Sequence, residues 1–480
     1  MQTFDLFVAL LSLAVLGIAT LWMLHRPVST SPLPPGPKPL PIVGNMFDVP
    51  TIYPWLMYRD LSKKYGDVLH LRVLGQSIIV IGSSQVAYDL LEKRSSNYSD
   101  RGYSTMVSLT GWEWNLGFIR YGQWWRRIRR TFHQHFNHST IPKYREVQLH
   151  ESRRLLRNLI VNPAQFVEHI RFAFAATVLK IAYGINIPDN DVVYTTMAEE
   201  GLKGIVEGLV PGTFWVEYFP FLRYIPSWFP GAGFQRKLET WRADAYALRD
   251  VPFASVKDAF NDGNAPPCIS TELLVKLSQH DGDVPDDEEE VVKNAVGIAY
   301  AAGADTTFSA MQWFFFAMLS NPEVQHKVQA ELDAVVGSNR LPEFSDRDSL
   351  PYTNAVVLEC FRWQGILPLG VAHRSIADDE YNGYHIPGGS ILLPNIWAFT
   401  HDPEMYPEPE KFHPERFIKN GQLDPDVKDP KMLIFGFGRR ICPGRHLADA
   451  TFFINVASVL HVYNISPPPM QTISQSRLSQ

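Results

Sequence analysis

Cys442 lies in the segment of this sequence whose residue types are best suited to chemistry, FGFGRRICPGR, at residues 435–445. The glycines of this segment allow tight turns and a close approach of the backbone to something flat or bulky. The cysteine precedes an apolar helical pattern and is flanked by Arg439, Arg440 and Arg445. A helix N-terminus and nearby cations both favour a thiolate. Cys442 is therefore a candidate nucleophile, redox sensor or metal ligand.

A nucleophilic role would require a general base beside the thiol. His446 is the one local candidate, and no third group that could orient it is evident in the neighbouring sequence. The other two cysteines, Cys268 and Cys360, are too few and too far apart for a disulfide framework or a cysteine-rich zinc module. The cysteines are therefore expected to serve in buried packing or in a single piece of chemistry.

Helices must position this cysteine, because helical periodicity dominates the sequence. An apolar pattern, LADATFFINVASVLHVY, follows the cysteine segment. A second helix is predicted from about 287 to 320. It is apolar on nearly every face, but Asp305 and Thr306 in its middle favour a buried core helix over a membrane span. Further helices are predicted at 51–65, 84–94 and 321–337, a hairpin at 70–82, and short strands at 371–375 and 381–393.

The composition limits the class of protein. The 480 residues are 45% hydrophobic and 20% charged, which permits a large buried core and excludes disordered, collagen-like and coiled-coil chains. The 44 Lys and Arg residues against 50 Asp and Glu give a net charge of -6, so no nucleic-acid partner is expected. No repeat or interdomain linker is evident after residue 45, which favours one large domain.

The amino end predicts a membrane anchor within residues 1–26. Residues 7–24 are uncharged and apolar, and at about 1.5 Å per residue they are just long enough to cross a bilayer. Basic residues follow this run, so the positive-inside bias places the rest of the chain in the cytosol. A cleaved signal peptide is the alternative, but a basic n-region and a clear cleavage site are missing. Residues 27–45 are proline-rich and are predicted to form an extended hinge.

The spacing around the cysteine resembles the heme-binding signature of the cytochrome P-450 superfamily, F-x-x-G-x-R-x-C-x-G. Phe435, Gly438, Arg440, Cys442 and Gly444 occupy its fixed positions. The resemblance implies that Cys442 supplies the axial thiolate to the iron of heme b (iron protoporphyrin IX), that Arg440 contacts a heme propionate and that Phe435 packs beside the sulfur. A thiolate ligand pushes electron density towards bound oxygen and favours O–O cleavage.

Residues 302–307, AGADTT, resemble the oxygen-activating segment of the same family. The resemblance implies that Gly303 and Thr306 open the helix locally into a groove for dioxygen and water. It also implies that Asp305 and Thr306 relay protons to the distal oxygen. Taken alone, Asp-Thr-Thr within a helix is ordinary and is also typical of a hydroxyl bonded back to the preceding turn.

Glu359 and Arg362 resemble the E-x-x-R pair of the family's K helix, and Arg416 in the PERF sequence resembles its third member. The resemblance implies a buried structural triad behind the heme. A pair at i, i+3 on a helix surface is common and is worth only about 0.2–0.5 kcal/mol. Removing one partner of a buried network instead strands a charge, at a cost of about 3–5 kcal/mol.

Trp125 and Arg129 resemble the W-x-x-x-R pattern of the family's C helix. The resemblance implies that the indole N–H and the guanidinium hold a heme propionate. Taken alone, a sequence of this kind more often forms a basic helix with a buried aromatic residue and no ligand. His373, or Arg374 beside it, falls where relatives place another propionate contact.

The resemblance covers about residues 32–465 and implies the cytochrome P-450 fold, mainly α with small β-sheets. In that fold a long central I helix, a K helix, the cysteine loop and an L helix surround the heme. Residues 46–480 are then a single heme-thiolate catalytic domain. After Tyr463 the sequence is polar and proline-rich where relatives continue with a further strand pair. The domain is therefore expected to be shortened at its carboxyl end.

The implied activity is insertion of one atom of O2 into a lipophilic small molecule, as in fungal microsomal enzymes of secondary metabolism. Apolar pocket walls are expected at about 106–119, around Ala302 and Thr306, at 366–371 and in the aromatic segment 214–234, which would also contact membrane lipid. The expected location is the endoplasmic reticulum membrane, with a single span and a cytosolic catalytic domain.

Electrons are expected from a separate NADPH-cytochrome P-450 reductase, with cytochrome b5 as a further candidate donor, because the chain contains no nicotinamide or flavin motif. Arg126, Arg127 and Arg130 are predicted to face outward and to attract an acidic partner of this kind. Two alternatives stay open. One is a heme-binding protein impaired in turnover by its altered carboxyl end. The other is isomerase or dehydratase chemistry without a reductase, against which Asp305 and Thr306 argue.

Overall fold

The computed structural model describes residues 31–189, 191–210, 212–279 and 287–467. This part of the chain is mainly helical with small β-sheets, as predicted. Its longer helices are α1 (Pro54–Tyr65), α2 (Gln123–Phe136), α3 (Arg145–Val161), α4 (Phe166–Tyr183), α5 (Val193–Gly208), α6 (Phe234–Asn261), α7 (Ile269–Ser278), α8 (Glu288–Ser320), α9 (Pro322–Val335), α10 (Pro351–Trp363) and α11 (Arg445–Val462). Shorter α-helices span Ser84–Ala87, Ser95–Tyr98, Thr105–Leu109, Ile396–Thr400 and Lys431–Ile434, and a π-helix spans Tyr88–Lys93.

The β-structure of the described residues consists of a four-stranded sheet and two hairpins. The strands are β1 (Val68–Val73), β2 (Gln76–Ile81), β3 (His373–Arg374), β4 (Asp379–Tyr381), β5 (Tyr384–Ile386), β6 (Ile391–Pro394), β7 (Ile418–Lys419) and β8 (Gln422–Leu423). The sheet order is β1-β2-β6-β3, with β2 parallel to β6 and the other neighbours antiparallel. The hairpin predicted at 70–82 is confirmed as β1 and β2, and Leu74 and Gly75 form its turn with positive φ.

Helix α8 is the central element, and its bounds match the helix predicted from about 287 to 320. Three glutamates occupy its first turn, where carboxylates complement the helix dipole. Residues 291–301 are buried except for Lys293, so this half of the helix is enclosed on nearly every face, as its uniformly apolar sequence requires. It packs against α2, α4, α6 and α11.

A second core joins the carboxyl half of α8 to α3, α9, α10 and α11. Phe314 of α8 lies edge-on to Phe452 of α11, with 6.4 Å between the ring centroids. Phe361 of α10 lies 4.9 Å from the same Phe452 ring. These contacts fix the relative positions of the three helices that carry or adjoin the predicted site residues.

The amino end of the described chain is extended and attached to the body. The Pro35 carbonyl accepts a hydrogen bond from the His70 N–H at 2.9 Å, and a Cβ on Gly36 would lie 2.0 Å from the His70 oxygen. The described part of the predicted hinge is therefore joined to the edge of β1. The predicted anchor, residues 1–26, lies outside the described residues. Within the described ranges, no helix is long and apolar enough to cross a bilayer.

The carboxyl end leaves α11 and runs along α9. The Gln329 side chain donates to the Tyr463 carbonyl at 3.1 Å. Ile465 exchanges two hydrogen bonds with the Gln325 side chain, at 2.6 and 3.1 Å. The predicted shortening of the domain concerns mainly residues after Pro467, which lie outside the described residues, and it stays a prediction.

Candidate active site

Cys442 lies in a tight loop between the short helix Lys431–Ile434 and α11. Its backbone N–H donates to the Phe435 carbonyl at 2.7 Å, which closes the loop. Gly438 has a φ of +56°, and a Cβ there would lie 2.2 Å from the Leu91 carbonyl oxygen. The glycine is therefore required by a close approach of two backbone segments. Gly444 has a negative φ and no neighbour that a Cβ would meet.

Two opposing effects act on the pKa of the Cys442 thiol. The backbone N–H groups of Gly444 and Arg445 and the charge of Arg129 lower the pKa of the thiol, as predicted. Burial acts in the opposite direction and is the larger effect, so the pKa of Cys442 is raised. The cations and the helix therefore favour the thiolate, but by themselves they do not offset the desolvation of the anion. A metal cation bound to the sulfur deprotonates a thiol outright.

Helix α2 places Trp125 and Arg129 one turn apart on the side of the Cys442 loop. Trp125 is buried, and its indole N–H has no acceptor among the described residues. Burial lowers the pKa of Arg129 to about 10, and Cys442 is the group that opposes this shift. Buried donors are normally paired, so an indole N–H and a guanidinium in this state fit an anionic ligand.

Arg440 is bound to the backbone more extensively than predicted. Its guanidinium donates to the carbonyls of Ser99 at 2.7 Å, Leu116 at 3.1 Å and Ile119 at 2.7 Å, and it stacks 4.6 Å from the Trp125 ring. A guanidinium has five N–H donors. Two of them are therefore left for the predicted propionate contact, while two others hold the loop that precedes α2 and one holds the Ser99 carbonyl.

Arg101 is a further cation at this site that the sequence did not reveal. It is buried and donates to the carbonyls of Gly117 at 2.8 Å, Val371 at 3.0 Å and Ala372 at 2.7 Å. Burial, together with the charge of Arg440, lowers its pKa. No motif surrounds Arg101, and its burial depends on partners as far as 271 positions along the chain. Periodicity and local spacing therefore could not identify it.

His373 is buried at the start of β3, with Nδ1 2.7 Å from the Tyr98 carbonyl. A carbonyl only accepts, so Nδ1 carries the proton and Nε2 of the neutral ring is an acceptor. Burial and the charges of Arg101 and Arg440 lower the pKa of His373. For Nε2 to donate to a heme propionate, as predicted, the ring must carry a second proton. The negative charge of two heme propionates would favour this imidazolium form. The neighbouring Arg374 is 3.6 Å from the Asp100 carboxylate.

The oxygen-activating segment remains α-helical throughout. The Thr306 hydroxyl donates to the Ala302 carbonyl at 2.7 Å, which is the bond to the preceding turn that the same sequence permits. Gly303 faces α4, where a Cβ would lie 2.7 Å from Val178 Cγ2. The glycine therefore permits close packing of α8 on α4, and the hydroxyl bond is made within an uninterrupted helix, while the groove for dioxygen at Gly303 and Thr306 stays a prediction.

Asp305 and Thr306 have different surroundings. Burial raises the pKa of Asp305, and the charge of Arg171 on α4 opposes this shift. Arg171 also pairs with Glu199 of α5, and its guanidinium lies 4.5 Å from the Phe308 ring. Asp305 and Phe308 are three residues apart and share one face of α8. The carboxyl is therefore on the side of α4, whereas Thr306 is bonded to its own helix.

Helices α8 and α11 bring the two halves of the site together. Ala299 and Ala304 of α8 and Leu447 and Ala450 of α11 belong to one buried cluster. Cys442 comes immediately before α11, so this packing places the sulfur-bearing loop beside the middle of α8. The donor set consists of a sulfur, an indole N–H without an acceptor and several cations, and it fits a metalloporphyrin with two carboxylates.

The predicted triad forms a buried network. Glu359 and Arg362 are both 0% exposed and share two hydrogen bonds of 2.7 and 2.8 Å. Arg416 lies 3.2 Å from the same carboxylate. Arg362 also donates to the carbonyls of Thr400 at 3.0 Å and Lys411 at 3.1 Å. The network therefore joins α10 to the end of the short helix Ile396–Thr400 and to the backbone at Lys411.

One part of the predicted basic surface was wrong. Arg127 does not contribute a free outward charge, because it pairs with Asp287 at 2.7 Å and Glu288 at 2.5 Å at the start of α8. Arg126 and Arg130 are exposed, as predicted. The sequence could not reveal the Arg127 pairs, since they join residues 160 positions apart.

Comparison with known proteins agrees with this site. Residues 34–479 match the family model for cytochrome P-450. Tryptamine 4-monooxygenase of Psilocybe cyanescens is 44% identical over 92% of this chain and 88% of its own length. Cytochrome P-450 monooxygenase COX2 of Coprinopsis cinerea is 43% identical over 91% of this chain and 83% of its own length. Cytochrome P-450 monooxygenase ple1 of Rhodocybe pseudopiperita is 39% identical over 94% of this chain and 86% of its own length. The chain therefore belongs to the cytochrome P-450 family of heme-thiolate monooxygenases.

Proposed function

We propose that this protein inserts one atom of O2 into a lipophilic small organic molecule, with electrons from NADPH delivered by a separate reductase. The observation that carries the proposal is the Cys442 loop beside the Trp125 and Arg129 donors, facing the middle of α8. When bound there, heme b would supply oxygen activation at a thiolate-ligated iron.

The chain's own residues would hold the heme carboxylates and handle protons. Trp125, Arg129 and the two remaining N–H groups of Arg440 would bind the propionates. Asp305 has a raised pKa, so it can hold a proton closer to neutral pH than an ordinary carboxyl. The Thr306 hydroxyl donates to the Ala302 carbonyl in this structure. Rotation of the side chain would present the hydroxyl oxygen and its proton to the side of the heme opposite Cys442.

Apolar side chains support a lipophilic substrate. Ile366 and Leu367, in the segment expected to wall the pocket, are 37% and 51% exposed, and Ala302 of α8 is exposed next to the buried Ala301. A small number of polar groups among apolar walls is typical of small-molecule pockets. The name of the Psilocybe cyanescens relative indicates that it acts on tryptamine, which is also a small organic molecule.

Association with the endoplasmic reticulum membrane is part of the same proposal. Large aromatic residues are exposed together in the segment between α5 and α6; they are Trp215, Phe219, Phe221, Tyr224, Trp228 and Phe229. Trp228 is 79% exposed and Phe221 is 65% exposed. If these aromatic side chains were exposed to water, they would promote aggregation, whereas a lipid interface would bury them.

Electron delivery would use the basic surface on α2. Arg126 and Arg130 are exposed on that helix, and Arg439 of the Cys442 segment is exposed beside them, bonded to the Tyr121 hydroxyl. A positive surface attracts an acidic partner even when the net charge of the chain is negative. The partner proposed is an NADPH-cytochrome P-450 reductase.

The test uses the full chain in microsomes that contain the reductase. Under labelled dioxygen and NADPH, we expect one labelled oxygen atom in the product of at least one lipophilic substrate, and none when the reductase is omitted. Arg126→Glu combined with Arg130→Glu should slow NADPH-dependent reduction of the iron without changing the heme content. If a normally loaded protein gives no product with any substrate, or works equally well without the reductase, the proposal is wrong.

A further inference from the structure

The loop that precedes α2, residues 110–121, contains two stacked tryptophans and is named here the tryptophan loop. Trp112 and Trp114 are 1% and 4% exposed, and their rings lie 5.2 Å apart at an interplanar angle of 21°. Their indole N–H groups have no acceptors among the described residues, so packing rather than hydrogen bonding holds them. Arg440 donates to the Leu116 and Ile119 carbonyls, which fixes the other end of the loop to the Cys442 segment.

Arg249 of α6 contacts the tryptophan end of this loop. It is 6% exposed, and its guanidinium lies 5.6 Å from the Trp114 ring centroid and 5.0 Å from that of Tyr246. The edge of the same guanidinium donates to Glu290 at 2.6 Å and Asn294 at 3.0 Å, both on α8. A planar guanidinium can use its face for an aromatic ring and its edge for oxygen acceptors, which a lysine cannot do in the same way.

The junction has no free space. A Cβ on Gly297 of α8 would lie 2.8 Å from Arg249 Cγ and 3.2 Å from Trp114 Cζ3. Gly297 therefore permits the side chains of α6 and the loop to meet directly on α8. The contact is five residues before Ala302, about 7.5 Å along the helix axis.

We propose that Arg249 is a positioning residue that sets the distance between the tryptophan loop and α8, and thereby the width of the substrate pocket above the heme. This inference rests on the proposed function, since it requires the loop to wall that pocket. The loop is held by Arg440 at the Cys442 segment and by Arg249 at α8, so it spans the space between them. Changing the Arg249 contact should therefore change which ligands fit, while heme binding through Arg440 is unchanged.

The helices also offer a matched control. Lys257 of α6 pairs with Glu289 of α8 at 2.7 Å, and both side chains are about half exposed. This ion pair joins the same two helices as Arg249 but does not contact the tryptophan loop. Lys257→Ala therefore tests whether any weakening of the α6–α8 contact is enough to change the pocket.

The experiment measures binding of imidazole and of 4-phenylimidazole to the purified heme-loaded full chain, through the shift of the Soret band. Imidazole reports access to the iron, and the added phenyl ring reports the width of the pocket. In Arg249→Lys and in Trp114→Leu, the ratio of the two dissociation constants should change by about fivefold, the loss expected for a partly desolvated cation–aromatic contact. In Lys257→Ala it should stay within about twofold, as for a lost exposed ion pair.

The double variant Arg249→Lys with Trp114→Leu should show no larger change than Trp114→Leu alone, because both act through one contact. Trp114→Met, which has no ring but fills more of the space, replaces Trp114→Leu if the latter does not fold. An unchanged ratio in the Arg249 and Trp114 variants, an equal change in Lys257→Ala, or additive effects in the double variant would each overturn the inference. If the purified unmodified protein holds no heme, or its reduced carbon monoxide complex lacks the thiolate-type Soret band, the proposed function fails independently of the Arg249 inference.

Discussion

Replacing Arg362 with methionine tests the buried triad, because methionine keeps much of the side-chain length but removes the charge and the donors. The change leaves the Glu359 carboxylate, which is 0% exposed, with Arg416 and the His413 N–H as its remaining partners. The Thr400 carbonyl also loses its donor, and the Lys411 carbonyl keeps only the longer bond from Arg416 at 3.3 Å. Breaking a buried pair in this way costs about 3–5 kcal/mol.

The matched control is Arg153→Met, because Arg153 pairs with Glu343 at 3.3 Å while both side chains are 43% and 49% exposed. That change should cost less than about 1 kcal/mol. With an unfolding entropy of about 2 cal/mol/K per residue, a loss of about 4 kcal/mol lowers the Tm of a chain of this length by about 4 °C. Thermal unfolding of the heme-loaded proteins measures both variants. Equal Tm values for Arg362→Met and Arg153→Met would refute the reasoning.

Three further predictions concern the heme loop, the propionate donors and the proton source. Gly438→Ala should sharply reduce heme content, since its Cβ would meet a backbone carbonyl, whereas Gly444→Ala should retain it; pyridine hemochrome assays of both proteins decide this. Arg129→Gln should lose heme to apomyoglobin about tenfold faster than the exposed control Arg130→Gln, and equal rates would contradict the assigned role. Because burial raises the pKa of Asp305, the fraction of NADPH coupled to product should fall as the pH rises through that pKa, and Asp305→Asn should flatten the profile; an unchanged profile would exclude Asp305 as the titrating group.

Much of the fold and the residue set at the site could be predicted from the sequence, because those features depend on local pattern. The largely apolar sequence that follows the acidic first turn at 287–290 predicts a core helix to about residue 320, and the structure has it at Glu288–Ser320. Glu359 and Arg362 are three residues apart, so helix geometry alone makes them neighbours.

The features that could not be predicted depend on which distant segments meet. Arg101 is buried by carbonyls of residues 117, 371 and 372, and Arg127 is neutralised at the start of α8. The direction of the Cys442 pKa shift depends on the amount of burial, which no motif encodes. The close packing of Val178 of α4 on Gly303 is likewise a contact set by the tertiary fold.

The most direct test of the account is the spectrum of the reduced carbon monoxide complex in the unmodified protein and in Cys442→His. Both side chains can ligate iron, but a thiolate and an imidazole give the Soret band at different wavelengths. The account predicts the long-wavelength band of a thiolate-ligated heme in the unmodified protein and its replacement by the imidazole-type band in Cys442→His. If the long-wavelength band persists in Cys442→His, another residue ligates the iron and the central assignment is wrong.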